Sequence, residues 1–365
     1  MSHDGKEKSD LATGPGPSWR RVRRGAPDVL GGRPSSSNRA LVESVWHDYE
    51  MIVRAARLHE HGEPLKIETV ELPEPSEGEV LVNLAFAAVN PIDRYTAEGS
   101  VAPEGPMPRT LGFEAAGVLD GRPVVVHGEG LGTARDGVWA QAAVVPREAV
   151  SDVPEGVDLR EAAAVGVVGV TAWNVVHDVG QVGRDDRVLV LGASGGVGCA
   201  IVSLAHAIGA TVWGQTSSAE KARVIEEQGA DRVIVAGPAQ LSGELGDFEP
   251  TVVLDALGGG FVEPVLAALA VRGRLVVYGT SAGPEVTFNL RQLYRKRISL
   301  LGYGGTALTR DERREGTQRA LDALARRELK LPIDDRLALE QVNEAFERLA
   351  ARTVRGKLLL DLDGS

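Results

Sequence analysis

Two kinds of apolar pattern follow one another along the chain, and the change between them divides it. From Met51 to about residue 150, short alternating or β-branched runs dominate: Ile52-Val53-Arg54-Ala55-Ala56, Glu79-Val80-Leu81-Val82-Asn83-Leu84, Ala116-Gly117-Val118-Leu119 and Pro123-Val124-Val125-Val126. Gly and Pro punctuate them. A period of two puts one face inward and one outward, so this region predicts a mostly β domain of short strands. From Arg187 the pattern switches. Strands are expected at 187–191, 211–214, 232–235, 251–254, 274–278 and 298–302, with helices at 196–208, 219–228 and near 261–270. Apolar strands alternating with helices imply a parallel, doubly wound sheet covered on both faces.

After Thr309 the series stops. Two amphipathic helices, at 310–327 and 339–351, and a last strand at 357–362 do not extend the parallel sheet. The simplest arrangement returns them to the first domain. The expected class is therefore α/β: a mostly β domain (51–172 plus 309–365) with an inserted doubly wound domain (173–308). Residues 1–50 stand apart. They are rich in Gly, Pro, Ser and Arg, with little apolar periodicity before Leu41, and are expected to form a disordered arm. Its Arg20-Arg21-Val22-Arg23-Arg24 cluster can contact an anionic surface or simply stay solvated. Asp4, Glu7, Asp10 and Asp28 argue against a transit peptide, and Met51 is an alternative start.

Charge and cysteine content remove several function classes. With 40 Lys and Arg against 51 Asp and Glu, the net charge of −11 disfavours a nucleic-acid surface. The single thiol, Cys199, excludes an internal disulfide and a four-cysteine zinc site, and fits a reducing, cytoplasmic location. No apolar run reaches the roughly 20 residues of a membrane span, and no secretory signal is evident.

The strongest chemical signal is Val188-Leu189-Val190-Leu191-Gly192-Ala193-Ser194-Gly195-Gly196-Val197-Gly198. It follows a buried strand and opens a helix. Small residues Ala193, Ser194 and Gly195 allow a tight turn and close backbone approach to a pyrophosphate. Gly198 lets helix and strand pack closely, and the N–H groups of Gly196 and Val197 open the helix toward the anion. Gly279, after the strand at 274–278, is assigned to the same cofactor side. The second strand selects the cofactor. No acid stands at 215–218 to bond a ribose 2′-hydroxyl, whereas Ser217, Ser218 and Lys221 suit a 2′-phosphate, so NADP(H) is expected. Either serine can also cap the following helix, and the two roles are compatible.

These motifs resemble the medium-chain dehydrogenase/reductase superfamily, and most closely its zinc-free quinone oxidoreductase (zeta-crystallin-like) branch. The landmarks appear in order over 51–365. They are Val89-Asn90-Pro91-Ile92-Asp93, Leu111-Gly112-Phe113-Glu114-Ala115-Ala116-Gly117, Gly137-Val138-Trp139-Ala140-Gln141, Gly169-Val170-Thr171-Ala172-Trp173, the 193–198 turn and Val354-Arg355-Gly356-Lys357. The resemblance implies a GroES-like domain built from both chain ends, with the active site in the cleft beside the Rossmann domain. Zinc-dependent members carry a Gly-His-Glu motif and a Cys near the Asn-Pro segment. Here the His position is Phe113 and no Cys lies near Asn90, so no metal site is expected. His127 is read as a packed or solvent-facing residue rather than a ligand.

The resemblance places Asn90, Asp93, Tyr95 and Thr171 near the nicotinamide end. Asn90, Tyr95 and Thr171 are the candidate catalytic residues: Asn90 to bond a substrate carbonyl, Tyr95 to line the pocket or supply a proton, Thr171 to contact the nicotinamide. Asn90-Pro91 can equally be a plain turn and Tyr95 a core aromatic. Arg352 falls where some relatives bind the 2′-phosphate, or it is a solvated helix end. Enoyl-thioester reductases of the superfamily carry a catalytic Tyr where this chain has Val101, a second cofactor-contacting Tyr is replaced by Ala236, and the loop 119–123 is short. The implied function is zinc-independent hydride transfer from NADPH to a quinone or an α,β-unsaturated carbonyl. The alternatives are an enoyl-thioester reductase and a non-catalytic NADPH-binding sensor or structural protein. A small-molecule substrate and a homodimer, paired near residues 291–303, are expected, with no nucleic-acid or membrane partner.

Overall fold

The computed structural model describes residues 20–23 and 49–363. The rest of the N-terminal segment expected to be an unfolded arm lies outside the described residues. In chain order the strands are β1 (Arg20–Arg23), β2 (Tyr49–Leu58), β3 (Lys66–Leu72), β4 (Glu79–Val89), β5 (Arg109–Thr110), β6 (Glu114–Leu119), β7 (Arg122–His127), β8 (Ala142–Pro146) and β9 (Val150–Asp152). Then come β10 (Arg187–Leu191), β11 (Thr211–Thr216), β12 (Arg232–Val235), β13 (Val252–Asp255), β14 (Arg274–Val277), β15 (Ser299–Gly302), β16 (Ile333–Ala338) and β17 (Lys357–Asp361).

The chain ends meet in one sheet, ordered β16-β17-β4-β6-β7-β9 with β8 on β4. β17 runs antiparallel to β4, pairing Leu358 with Val89 and Asp361 with Phe86. Its apolar run explains its place. Leu358 and Leu360 point into the core of this domain, around Trp139 and Leu84. Leu359, on the opposite face, joins the core shared with the inserted domain. A strand buried on both faces has no reason to alternate with polar residues, and this one does not. A smaller sheet of β1, β2, β3 and β5 packs alongside, with Arg20–Arg23 antiparallel to the start of β2.

The inserted domain is a parallel sheet in the order β12-β11-β10-β13-β14-β15. That order reverses direction beside β10, and the crevice at the carboxyl ends of β10 and β13 is where ligands bind in such sheets. The sequence pattern places most of this series on its actual residues, including β10, β12 and the helix Gly196–Ile208. It misses the helices Pro91–Ala97 and Pro238–Leu245, and β16. Both helices open with Pro after Asn or Gly, which reads locally as a turn. The expected helix at 219–228 is a 3₁₀ turn, Ala219–Lys221, running into a short α-helix, Ala222–Glu226. No helix of the described residues is long and apolar enough to cross a membrane.

Candidate active site

β10 delivers the chain to Gly192, whose φ of 69° turns it sharply. Gln215 at the end of β11 holds the turn: its side-chain oxygen accepts from Gly192 N–H at 3.0 Å, and its carbonyl accepts from Ala193 N–H at 2.9 Å. The helix Gly196–Ile208 then begins from Gly195 with no side-chain cap and no acid in its first turn. Its first N–H groups are thus left for an external anion. The glycines divide by role. A Cβ on Gly198 would lie 2.4 Å from the Gly192 carbonyl oxygen, so Gly198 serves packing. A Cβ on Gly195 would meet nothing nearer than 3.6 Å, so its missing side chain keeps the space over the turn open. A cradle that side chains would fill, lined by free donors, fits a pyrophosphate.

The other domain closes on this turn. Gly356 N–H donates to the Ser194 carbonyl at 3.0 Å, and the Lys357 stem lies against Gly196. Beyond β11, Ser217 is exposed, and Ser218 precedes the helical turn at Ala219 without capping it. Lys221 Nζ donates to the Arg352 carbonyl, while the Arg352 guanidinium reaches the Ser281 carbonyl at 2.6 Å. Burial lowers the Lys221 pKa, and the charges of Arg355 and Arg352 lower it further. Cations crowded at one spot fit a dianionic group. Arg355 was not singled out from sequence; its place beside the Gly356 turn was the available signal. Gly279 packs on the Ala256 backbone, where a Cβ would stand 2.8 Å from the carbonyl oxygen.

Between the domains lies a cavity of about 430 Å³. Thr171 lines it, with Phe113, Val101, Tyr303, His127 and Arg313. The Tyr303 hydroxyl accepts from Asn174 Nδ2 at 3.3 Å; burial raises its pKa, and Asn174 and Thr171 work against the rise. Burial, then the Arg313 charge, holds His127 at about 3, so it is neutral. Phe113 puts a benzene ring where zinc-dependent members of the resembling superfamily have a ligand. Among the described residues no group of three or more His, Cys, Asp or Glu could hold a metal ion.

Asn90 and Tyr95 are not among the residues that line this cavity. Asn90 is buried in a polar cluster. Its Nδ2 donates to Glu114 Oε1 at 2.9 Å, its Oδ1 accepts from Lys357 Nζ at 2.6 Å, and its N–H donates to Asp93 Oδ2 at 2.7 Å. Tyr95 is exposed, with the Arg94 guanidinium 5.2 Å from its ring centre. Of the three candidate catalytic residues, only Thr171 faces the cavity. Tyr303 and Arg313, which do, escaped the sequence reading. Tyr303 follows a parallel strand at its carboxyl end, the position from which such sheets present site residues.

The family described as zinc-binding dehydrogenase matches residues 196–325. A quinone oxidoreductase of Salmonella typhimurium is 30% identical over 83% of this chain and 97% of its own length. The chain belongs to the medium-chain dehydrogenase/reductase superfamily, in its zinc-free quinone oxidoreductase branch. The human quinone oxidoreductase is 27% identical over 85% of this chain and 98% of its own. A mycobacterial protein solved in complex with NADPH superposes with a TM-score of 0.73 at 27% identity, covering 85% of this chain and 99% of that one. Membership in this branch makes the protein an oxidoreductase that works with a nicotinamide cofactor.

Proposed function

We propose that this member of the branch is an NADPH-dependent, zinc-independent reductase that passes hydride to a quinone or to the β-carbon of an α,β-unsaturated carbonyl. The observation that carries the cofactor choice is the gathering of Lys221, Arg352 and Arg355 beyond β11, beside Ser218, whose hydroxyl makes no capping bond, and with no acid at 215–218. The 193–198 turn would take the pyrophosphate, and Ser217, Ser218, Lys221 and Arg355 the 2′-phosphate. Arg352 adds charge there, its guanidinium being held by Ser281.

NADPH bound in this cradle supplies the hydride. The protein's part is to orient and to stabilise charge. Apolar walls at Phe113, Val101 and Ile92 hold the substrate in the cavity. The hydroxyls of Thr171 and Tyr303, both in the cavity lining, offer donors to the oxygen that gains charge as hydride arrives. One hydride and one proton convert a quinone to a hydroquinone, and the proton comes from water. Asn90 and its buried cluster act by positioning. Val101 in the cavity wall, where enoyl-thioester reductases carry a tyrosine, favours the quinone or enone reading over a thioester. We also read the protein as a cytoplasmic homodimer, joined at the β15 edge, where Leu290, Tyr294 and Leu300 are exposed.

Titration with NADPH and NADH, followed by tryptophan quenching, tests the cofactor. A preference for NADPH of about tenfold, roughly 1.4 kcal/mol, is expected. Equal affinities would overturn the 2′-phosphate assignment. Failure to bind either would sink the reductase reading.

A further inference from the structure

Among the described residues that line the active-site cavity, Arg313 alone carries a formal charge. His127 beside it is neutral, Tyr303 is a phenol, and the other lining residues are apolar, glycine or threonine. The guanidinium has one hydrogen bond among the described residues, Nη2 to the Leu308 carbonyl at 3.2 Å. No described carboxylate pairs with it. Glu129, next to the cavity wall at Gly128, is taken by Arg310 at 2.7 Å, and Glu312 is taken by the Thr309 cap.

The placement is not explained by the helix that carries it. Arg313 lies in the first turn of Arg310–Ala325, where a cation opposes the helix dipole. Room is made for it as well. Gly128 has a φ of 95°, and a Cβ there would stand 2.8 Å from Arg313 Cδ. A half-buried guanidinium facing a mostly apolar cavity keeps donors that the protein leaves unmatched.

We infer that Arg313 binds an anionic substituent of the substrate, so that the preferred class is a quinone or enone bearing a carboxylate, sulfonate or acidic hydroxyl on an otherwise apolar frame. This rests on the reductase reading above. Phe113, Val101 and Ile92 would hold the apolar frame, and Arg313 would set which end enters.

The test compares 1,4-naphthoquinone with 1,4-naphthoquinone-2-sulfonate in the wild type and in Arg313→Gln. Because the two quinones differ in intrinsic reactivity, the informative quantity is the ratio of their kcat/KM values. That ratio is expected to move at least tenfold against the sulfonate in Arg313→Gln and to be partly restored in Arg313→Lys. A second measurement does not need turnover: binding of 2-naphthoate and 2-naphthamide to the NADP⁺-saturated protein. The wild type should favour the naphthoate, and Arg313→Gln should not. A ratio unchanged by the substitution, or naphthoate and naphthamide bound alike by the wild type, overturns the inference. Reduction of both quinones without Arg313 dependence sinks this inference alone. An Arg313-dependent preference for naphthoate in a protein that reduces neither quinone keeps the anion site and sinks the reductase reading.

Discussion

Lys357 Nζ donates to Asn90 Oδ1 at 2.6 Å in a place closed to water, joining the last strand of the chain to the end of β4. The same ammonium donates to the Val89 carbonyl at 2.9 Å and stands 3.8 Å from Glu114. Glu114 in turn accepts from Val167 N–H at 2.8 Å, in the segment that lines the cavity just before Thr171. One buried cation therefore ties together the cofactor turn, Asn90 and the cavity wall. Lys357→Met keeps the volume but strands Glu114 without its counter-charge. The expected loss is about 3–5 kcal/mol of stability, read from urea unfolding midpoints. A loss below about 1 kcal/mol would show that the cluster is not held by its charge.

Asp93 gives the cluster a pH signature. It is fully buried, and burial raises its carboxyl from 3.8 to about 7, against the lowering effects of the Asn90 N–H and of Lys357; Glu114 adds to the rise. Between those values the folded protein holds a proton that the unfolded chain has released. Its contribution to stability is complete below 3.8 and is lost as pH rises through about 7. His127, held near 3, works in the opposite sense, favouring the fold less as pH falls below 6.5. Comparing Asp93→Asn with the wild type cancels the His127 effect. Between pH 5 and 7.5 the wild type should lose stability relative to the variant, and parallel curves would contradict this.

The two glycine roles separate in a pair of variants. Gly198→Ala drives a methyl to 2.4 Å from a backbone oxygen, so it should unfold at clearly lower urea, by about 2 kcal/mol or more. Gly195→Ala has open space and should fold as well as the wild type. Its methyl would occupy the space read as the pyrophosphate site, so nicotinamide affinity should fall at least tenfold. Equal binding by Gly195→Ala and wild type would move the phosphate elsewhere.

Charge selectivity at β11 is read from Lys221→Ala and Arg355→Ala. Each should weaken NADPH by about tenfold while leaving NADH near its wild-type affinity. The difference should shrink with added salt, since Arg355 is exposed. Loss of both cofactors together would point to a disturbed turn rather than to a lost phosphate contact.

Much of the inserted domain is local in its physics and can be read from neighbouring residues alone. Arg187–Leu191 and Arg232–Val235 are strands on the residues expected, and Gly196–Ile208 is a helix on its expected residues. Their signals lie in residues two to four apart and in glycines next to the turn they make. Cavity and cluster are different. Asn90 and Lys357 are 267 positions apart, and neither one's neighbours reveal that β17 will lie against β4. β16, Ile-Asp-Asp-Arg-Leu-Ala, carries almost no strand pattern because it is the polar edge beside β17. Tyr95, read as a pocket residue, is exposed, while Tyr303 and Arg313 arrive in the cavity from the far side of the insertion. Such contacts depend on which distant strands pair and which faces they bury. Hydrophobic period carries no information about that; it emerges only when the whole chain packs.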